Sequence, residues 1–127
     1  MIAATQKRGL ILYAHGARDP RWAEPFERVR SRIREREPSL PVALAFLDYL
    51  EPNLMTAAQR LVQEGVEQIR IVPLFFGRGG HLREDLPRQM QAVREAISSA
   101  RFDIAEAAGE ADAVVEALAE FALSGIG

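Results

Sequence analysis

His15 and His81 are the only two histidines in this 127-residue chain, which has no cysteine. A neutral imidazole binds divalent metal near pH 7 and also accepts protons, so the pair offers metal binding and base chemistry without the trapping charge of thiolate. Each follows a largely apolar run. Leu10-Ile11-Leu12-Tyr13-Ala14 leads into His15-Gly16, and Ile69-Arg70-Ile71-Val72-Pro73-Leu74-Phe75-Phe76 leads through Gly77-Arg78-Gly79-Gly80 to His81. Short apolar runs stopped by glycine read as buried strands. Both histidines are then expected at the carboxyl ends of strands, where open α/β sheets bind their ligands. Neighbouring strands lie about 4.8 Å apart, so two such rings can share one ion at roughly 2.0 to 2.2 Å from each nitrogen. The alternative for either ring is an ordinary polar loop residue.

Other polar residues join them at the same edge. Asp48 follows the run Val42 to Leu47 and should emerge beside His15, as a third ligand or a proton acceptor. Asp48 and Glu51 have capping of the following helix as their alternative role, and Glu84 and Asp85 suit the positive start of a third helix. Gly77-Arg78-Gly79-Gly80 lacks the Lys and Ser/Thr of a phosphate loop; Gly79 and Gly80 rather let a flat ligand approach the backbone. Arg18, Arg21, Arg78 and Arg83 lie in the two histidine-bearing loops. Their planar forks match substrate carboxylates, with surface ion pairing as the alternative.

These positions require strands and helices in alternation. After Asp19-Pro20, a cap followed by Pro at the first helical position, Trp22, Phe26, Val29 and Ile33 recur at helical spacing. Leu54, Ala58, Leu61 and Val62 set a second helical face closed by Gly65, Leu86, Met90, Val93 and Ile97 a third, and Val114, Val115, Leu118, Phe121 and Ala122 a fourth. Phe102 to Ala105 is a short fourth strand. Fourfold βα alternation predicts a doubly wound parallel four-stranded sheet flanked by helices, in strand order 2-1-3-4. Pro73 is compatible with a strand only near its exit. Residues 1–127 read as a single domain with a loose start over residues 1–8.

Composition excludes several alternatives. At 48% hydrophobic and 27% charged residues the chain has the balance of a folded globular domain. No apolar stretch approaches the ~20 residues of a membrane span, and no signal-type segment opens the sequence. The absence of cysteine fits a reducing cytoplasm. Net charge is −2, which predicts no general attraction to nucleic acid. Wound at about 100° per residue, the arginines between Arg28 and Arg36 spread over two sides of a helix among Glu27, Glu35 and Glu37, a solvated surface.

Four stretches carry a resemblance. His15-Gly16-Ala17-Arg18-Asp19-Pro20, Phe46-Leu47-Asp48 through Glu51-Pro52, Val72-Pro73-Leu74-Phe75 and Gly79-Gly80-His81-Leu82-Arg83-Glu84-Asp85-Leu86-Pro87 resemble, in order and spacing, the small single-domain CbiX-type chelatases. That family inserts cobalt into sirohydrochlorin and has nickel- and iron-inserting relatives. The resemblance implies a chelatase-like fold, metal binding by His15 and His81 over the tetrapyrrole, and a homodimer, since related chelatases contain two such domains. It implies no organic cofactor and no ATP, with the divalent metal (Co²⁺, Ni²⁺ or Fe²⁺) as a substrate. The family commonly has Glu where Asp48 stands and Ser where Ala17 stands. These departures keep open a metal- or tetrapyrrole-binding protein without turnover. A histidine phosphatase, suggested by His-Gly at a strand end, fits less well because Ala14 stands where that chemistry uses Arg.

Overall fold

Side chains alternate across each strand, and the two faces of the sheet are filled by different helices. The computed structural model describes residues 7–77 and 80–126, and for 80–83 the backbone alone. Strands β1 (Arg8–Ala14), β2 (Val42–Phe46), β3 (Gln68–Pro73) and β4 (Arg101–Ile104) form one parallel sheet in the order β2-β1-β3-β4. Helices α1 (Glu24–Arg36), α2 (Leu54–Gln63), α3 (Gly80–Ala96) and α4 (Asp112–Ser124) follow the four strands in turn. The expected architecture and strand order are both present.

Connection handedness decides which face each helix covers. The step from β1 to β2 runs one way across the sheet, and the steps to β3 and β4 run the other, so right-handed crossovers send α1 to one face and α2 and α3 to the opposite one. The core follows that division. Ile11, Tyr13, Ala45, Ile69, Ile71 and Phe102 pack with Leu54, Ala58 and Leu61 of α2 and Leu86, Met90 and Val93 of α3. On the other face Leu12, Ala14, Val42, Leu44 and Phe46 meet Ala23 and the half-buried Phe26 and Ile33 of the α1 segment.

Several boundaries differ from expectation. The first helix is split: Pro20–Ala23 forms a 3-10 turn capped by Asp19, and α1 starts at Glu24. Pro25 lacks the N–H needed to join the two pieces, so Trp22 leaves the helical face and is 65% exposed. Helix α3 begins at Gly80, six residues before Leu86, and runs through Pro87. Glu84 and Asp85 therefore lie beyond its first turn, and their expected role at a helix start is corrected. Finally, β1 takes in Arg8, and the Lys7 carbonyl accepts from the Glu67 and Gln68 amides at 2.8 and 3.1 Å. The loose start thus stops short of Lys7 and Arg8, because β3 pairs with them; residues 1–6 lie outside the described residues. Strand β3 ends at Pro73, short of the Phe76 to which the apolar run extends, and a proline's missing donor costs least at that last position.

Candidate functional site at the carboxyl edge of the sheet

The parallel ladder continues past the ends of the strands and fixes the loops that follow. The Leu47 amide donates to the Ala14 carbonyl and the Asp48 amide to the His15 carbonyl, each at 2.9 Å, and the Leu74 amide donates to the Tyr13 carbonyl at 2.7 Å. Backbone pairing therefore sets Asp48 one step across from His15, as adjacency of β1 and β2 predicted. Gly16 makes this approach feasible. Its φ is +82°, and an added Cβ would overlap the Asp48 carbonyl oxygen.

The exposed His15 ring leans on buried Phe75, with centroids 4.3 Å apart and planes at 52°. Phe75 in turn sets its edge against Tyr13, at 5.8 Å and 64°. One face of the imidazole is thereby packed and its orientation limited. In front of it is a cavity of about 390 Å³, lined by His15, Gly16, Ala17, Trp22, Phe26, Leu74, Phe75 and Phe76. Most of that lining is apolar, and Phe76 at its rim is 77% exposed. Ala17 contributes a methyl group to the wall.

A second feature clasps the β1–α1 and β2–α2 loops. The Arg18 guanidinium lies 5.4 Å from the ring centroid of Tyr49, a cation–π contact at an exposed site. Tyr49 has φ +69°, the left-handed region in which a non-glycine side chain costs roughly 1–2 kcal/mol. An exposed ring held at that cost, one residue after Asp48 and against Arg18, marks Tyr49 as part of the edge. Sequence reasoning missed it, as it missed Phe76 and Gly109. Gly109 donates its amide to the Phe75 carbonyl at 2.8 Å, and an added Cβ would overlap the Phe76 backbone. The turn Ala108–Glu110 thus fixes the segment against which His15 leans.

Several expectations change here. Arg21 is engaged by Asp19 through a 2.6 Å ion pair, which lowers the Asp19 carboxyl pKa and raises that of the guanidinium. It is spent locally rather than aimed at a substrate. Helix α2 is capped by Asn53, whose side chain accepts from the Thr56 amide at 2.8 Å, so capping by Asp48 or Glu51 is overturned. Glu51 lines a separate groove along the β2 edge with Arg30 and Arg60. Arg78 and Gly79 lie outside the described residues, and Gly80, His81 and Arg83 are placed by backbone only, in the first turn of α3. That turn follows β3, the neighbour of the His15-bearing strand. Among the described residues no three His or carboxylate groups converge to hold an ion.

A doubly wound parallel domain whose carboxyl edge carries a histidine and an aromatic cavity defines a class of small-molecule α/β proteins. Within it this chain belongs to the CbiX family, whose model matches residues 9–123. The sirohydrochlorin cobaltochelatase of Sulfolobus acidocaldarius is 32% identical over 112 residues, covering 88% of this chain and 87% of the relative. That of Sulfurisphaera tokodaii is 30% identical over 112 residues, with 88% of each covered. Among solved structures, the CbiX protein of Marinobacter aquaeolei VT8 matches with a TM-score of 0.83 and 31% identity over 94% of this chain and 97% of that one. The sirohydrochlorin chelatase SirB of Bacillus subtilis, solved with cobalt, shares the fold at a TM-score of 0.77 and 21% identity; 91% of this chain covers 49% of it.

Proposed function

We propose that this chain inserts a divalent metal, Co²⁺ foremost, into sirohydrochlorin without ATP or an organic cofactor. The observation that carries this reading is the His15 imidazole, exposed at the carboxyl edge and held by Phe75 at the mouth of an apolar cavity. Relatives at 32% and 30% identity that bear the cobaltochelatase name, matched over 87% and 88% of their own length, support the substrate pair. The family resemblance adds His81 as the second metal-binding imidazole. Ni²⁺ and Fe²⁺ are the alternative metals, since imidazole and carboxylate donors follow the general affinity order.

Insertion requires the ion to lose water, the macrocycle to lie close enough for its nitrogens to reach the metal, and two N–H protons to leave. His15 and His81 would hold the ion as neutral donors and, once it passes to the macrocycle, their freed ring nitrogens would take up the two protons. Asp48, paired through its backbone to His15, offers a carboxylate to the same edge. Trp22, Tyr49 and Phe76 supply exposed ring faces for a flat conjugated ligand. Arg18, Arg78 and Arg83 pair with the ligand's carboxylates, and Gly79 and Gly80 let it approach the backbone. Products balance as the metallated macrocycle and two protons.

Residues 1–127 act as one domain, in the cytoplasm, and two copies form the working unit. Correspondence to about half of each SirB chain supports the pairing. No helix among the described residues is long and apolar enough to cross a membrane.

Spectrophotometry of sirohydrochlorin with Co²⁺ tests the reading. Accelerated metallation by the wild type, reduced at least ~100-fold in His15→Ala and in His81→Ala with unchanged circular dichroism, is the expected result. Saturable binding without acceleration would instead favour the tetrapyrrole-binding alternative, which Ala17 in the cavity wall keeps specific.

A further inference from the structure

Two arginines of the β1–α1 loop are held in opposite ways. Arg21 turns its donors onto the Asp19 carboxylate, with Nε at 3.0 and 3.1 Å from its two oxygens and Nη2 at 2.6 Å from one of them. Arg18 forms no hydrogen bond or ion pair among the described residues; its guanidinium is held by the ring of Tyr49, 5.4 Å from the centroid. A ring face attracts the cation without occupying its N–H groups as a carboxylate does. The Arg18 fork is therefore placed with its donors unspent.

The backbone beneath Tyr49 is bent to make that contact. The Leu50 amide donates to the Asp48 carbonyl at 2.8 Å, and with φ +69° at Tyr49 this is a γ-turn of the rare, strained kind. Both ends are anchored, Asp48 by its amide to the His15 carbonyl and half-buried Leu50 by packing against the core on the α1 side of the sheet. Those anchors explain the turn. They do not explain a tyrosine at its tip, where glycine would relieve the strain. The ring is 67% exposed, so its own burial does little to offset that strain. Its contact with Arg18 remains, and strain kept at a loop tip beside a site is the pattern of a functional position.

We infer that Tyr49 is a positioning residue that sets Arg18 to receive a peripheral carboxylate of the macrocycle at the rim beside His15. This rests on the tetrapyrrole reading proposed above and deepens it, giving the Arg18 fork a fixed place and a holder. A long side chain loses rotamer freedom when it pairs with a ligand, and holding it beforehand reduces that loss. The benefit belongs to affinity for a carboxylated ligand and not to the chemical step.

Sirohydrochlorin itself is the probe, its binding followed by fluorescence titration without metal and its metallation with Co²⁺ by absorbance. Arg18→Ala should weaken binding roughly tenfold or more, as loss of a charge-assisted bond does. Tyr49→Ala should weaken it about two- to fivefold, the worth of an exposed cation–π contact. KM should rise in step while kcat is retained. Tyr49→Phe keeps a ring face for the guanidinium and should recover most of the Tyr49→Ala loss. In the Arg18→Ala background Tyr49→Ala should cost little further, because its action runs through the guanidinium. Tyr49→Gly should bind as weakly as Tyr49→Ala yet melt no lower than the wild type, since the turn relaxes as the ring is lost. Additive losses in the double variant, or a kcat that falls with KM unchanged, would overturn the positioning role and leave the tetrapyrrole reading standing. A Tyr49→Gly protein that melts well below the wild type would make the ring a structural prop and overturn that role too. A wild type that does not bind sirohydrochlorin would overturn the tetrapyrrole reading and this inference with it.

Discussion

Two glycines illustrate how single residues set the site. Gly16 combines a positive φ with an approach that leaves no room for a Cβ, whereas Gly65 has φ +92° but open space around it. Gly65→Ala should therefore cost about 1 kcal/mol, from backbone conformation alone, and Gly16→Ala at least about twice that, from conformation plus displacement of Asp48. Urea denaturation of the two variants measures the difference, and equal losses would show that the His15–Asp48 pairing tolerates a shift. Gly109→Ala should cost about 1–3 kcal/mol and, by moving the Phe75–Phe76 segment, disturb the ring stack on His15. At this scale the sequence showed where the imidazoles stand, because a histidine after an apolar run stopped by glycine is a local signal. It did not show Tyr49, Phe76 or Gly109, whose roles arise from contacts between segments distant in sequence.

Among the elements, β1 and α3 are joined by a part-buried side-chain hydrogen bond. The Tyr13 hydroxyl donates to the Gln89 side-chain oxygen at 2.6 Å, and burial, aided by the carboxylates of Asp48 and Asp85, pushes its phenol up to about 12. A pKa raised on folding stabilises the protein below the unfolded value near 10 and is lost as pH climbs through the folded value. Wild-type stability should therefore fall by on the order of 2–3 kcal/mol between about pH 10 and pH 12. Tyr13→Phe should cost about 1 kcal/mol at pH 8, from the unpaired Gln89 amide, and show a shallower alkaline decline. Denaturant melts of both proteins across that interval provide the comparison. Apolar periodicity made every strand and helix legible, and crossover rules gave their order. Proline misled at the boundaries: Pro25 split a helix read as continuous, and Pro87 was tolerated within one read as starting nearby. A missing N–H breaks a helix or merely weakens it according to how the surrounding turns are held by packing, which local sequence does not record.

At the scale of the molecule, the apolar stripe on α4 was legible as a helical face, but its partner was not, because periodicity says that a face will be covered without saying by which chain. The two-copy unit proposed above makes stability depend on protein concentration. When a folded pair unfolds to two separate chains, mass action adds RT ln of the concentration ratio to the stability of the pair. A hundredfold rise in concentration then contributes about 2.7 kcal/mol per pair, or about 1.4 per chain, and should raise Tm by roughly 4 °C for a chain of this size. Differential scanning fluorimetry at 1 and 100 μM reads the shift. A wild-type Tm that does not move over that range would mean that association contributes nothing to stability, and the two-copy unit would fall with it.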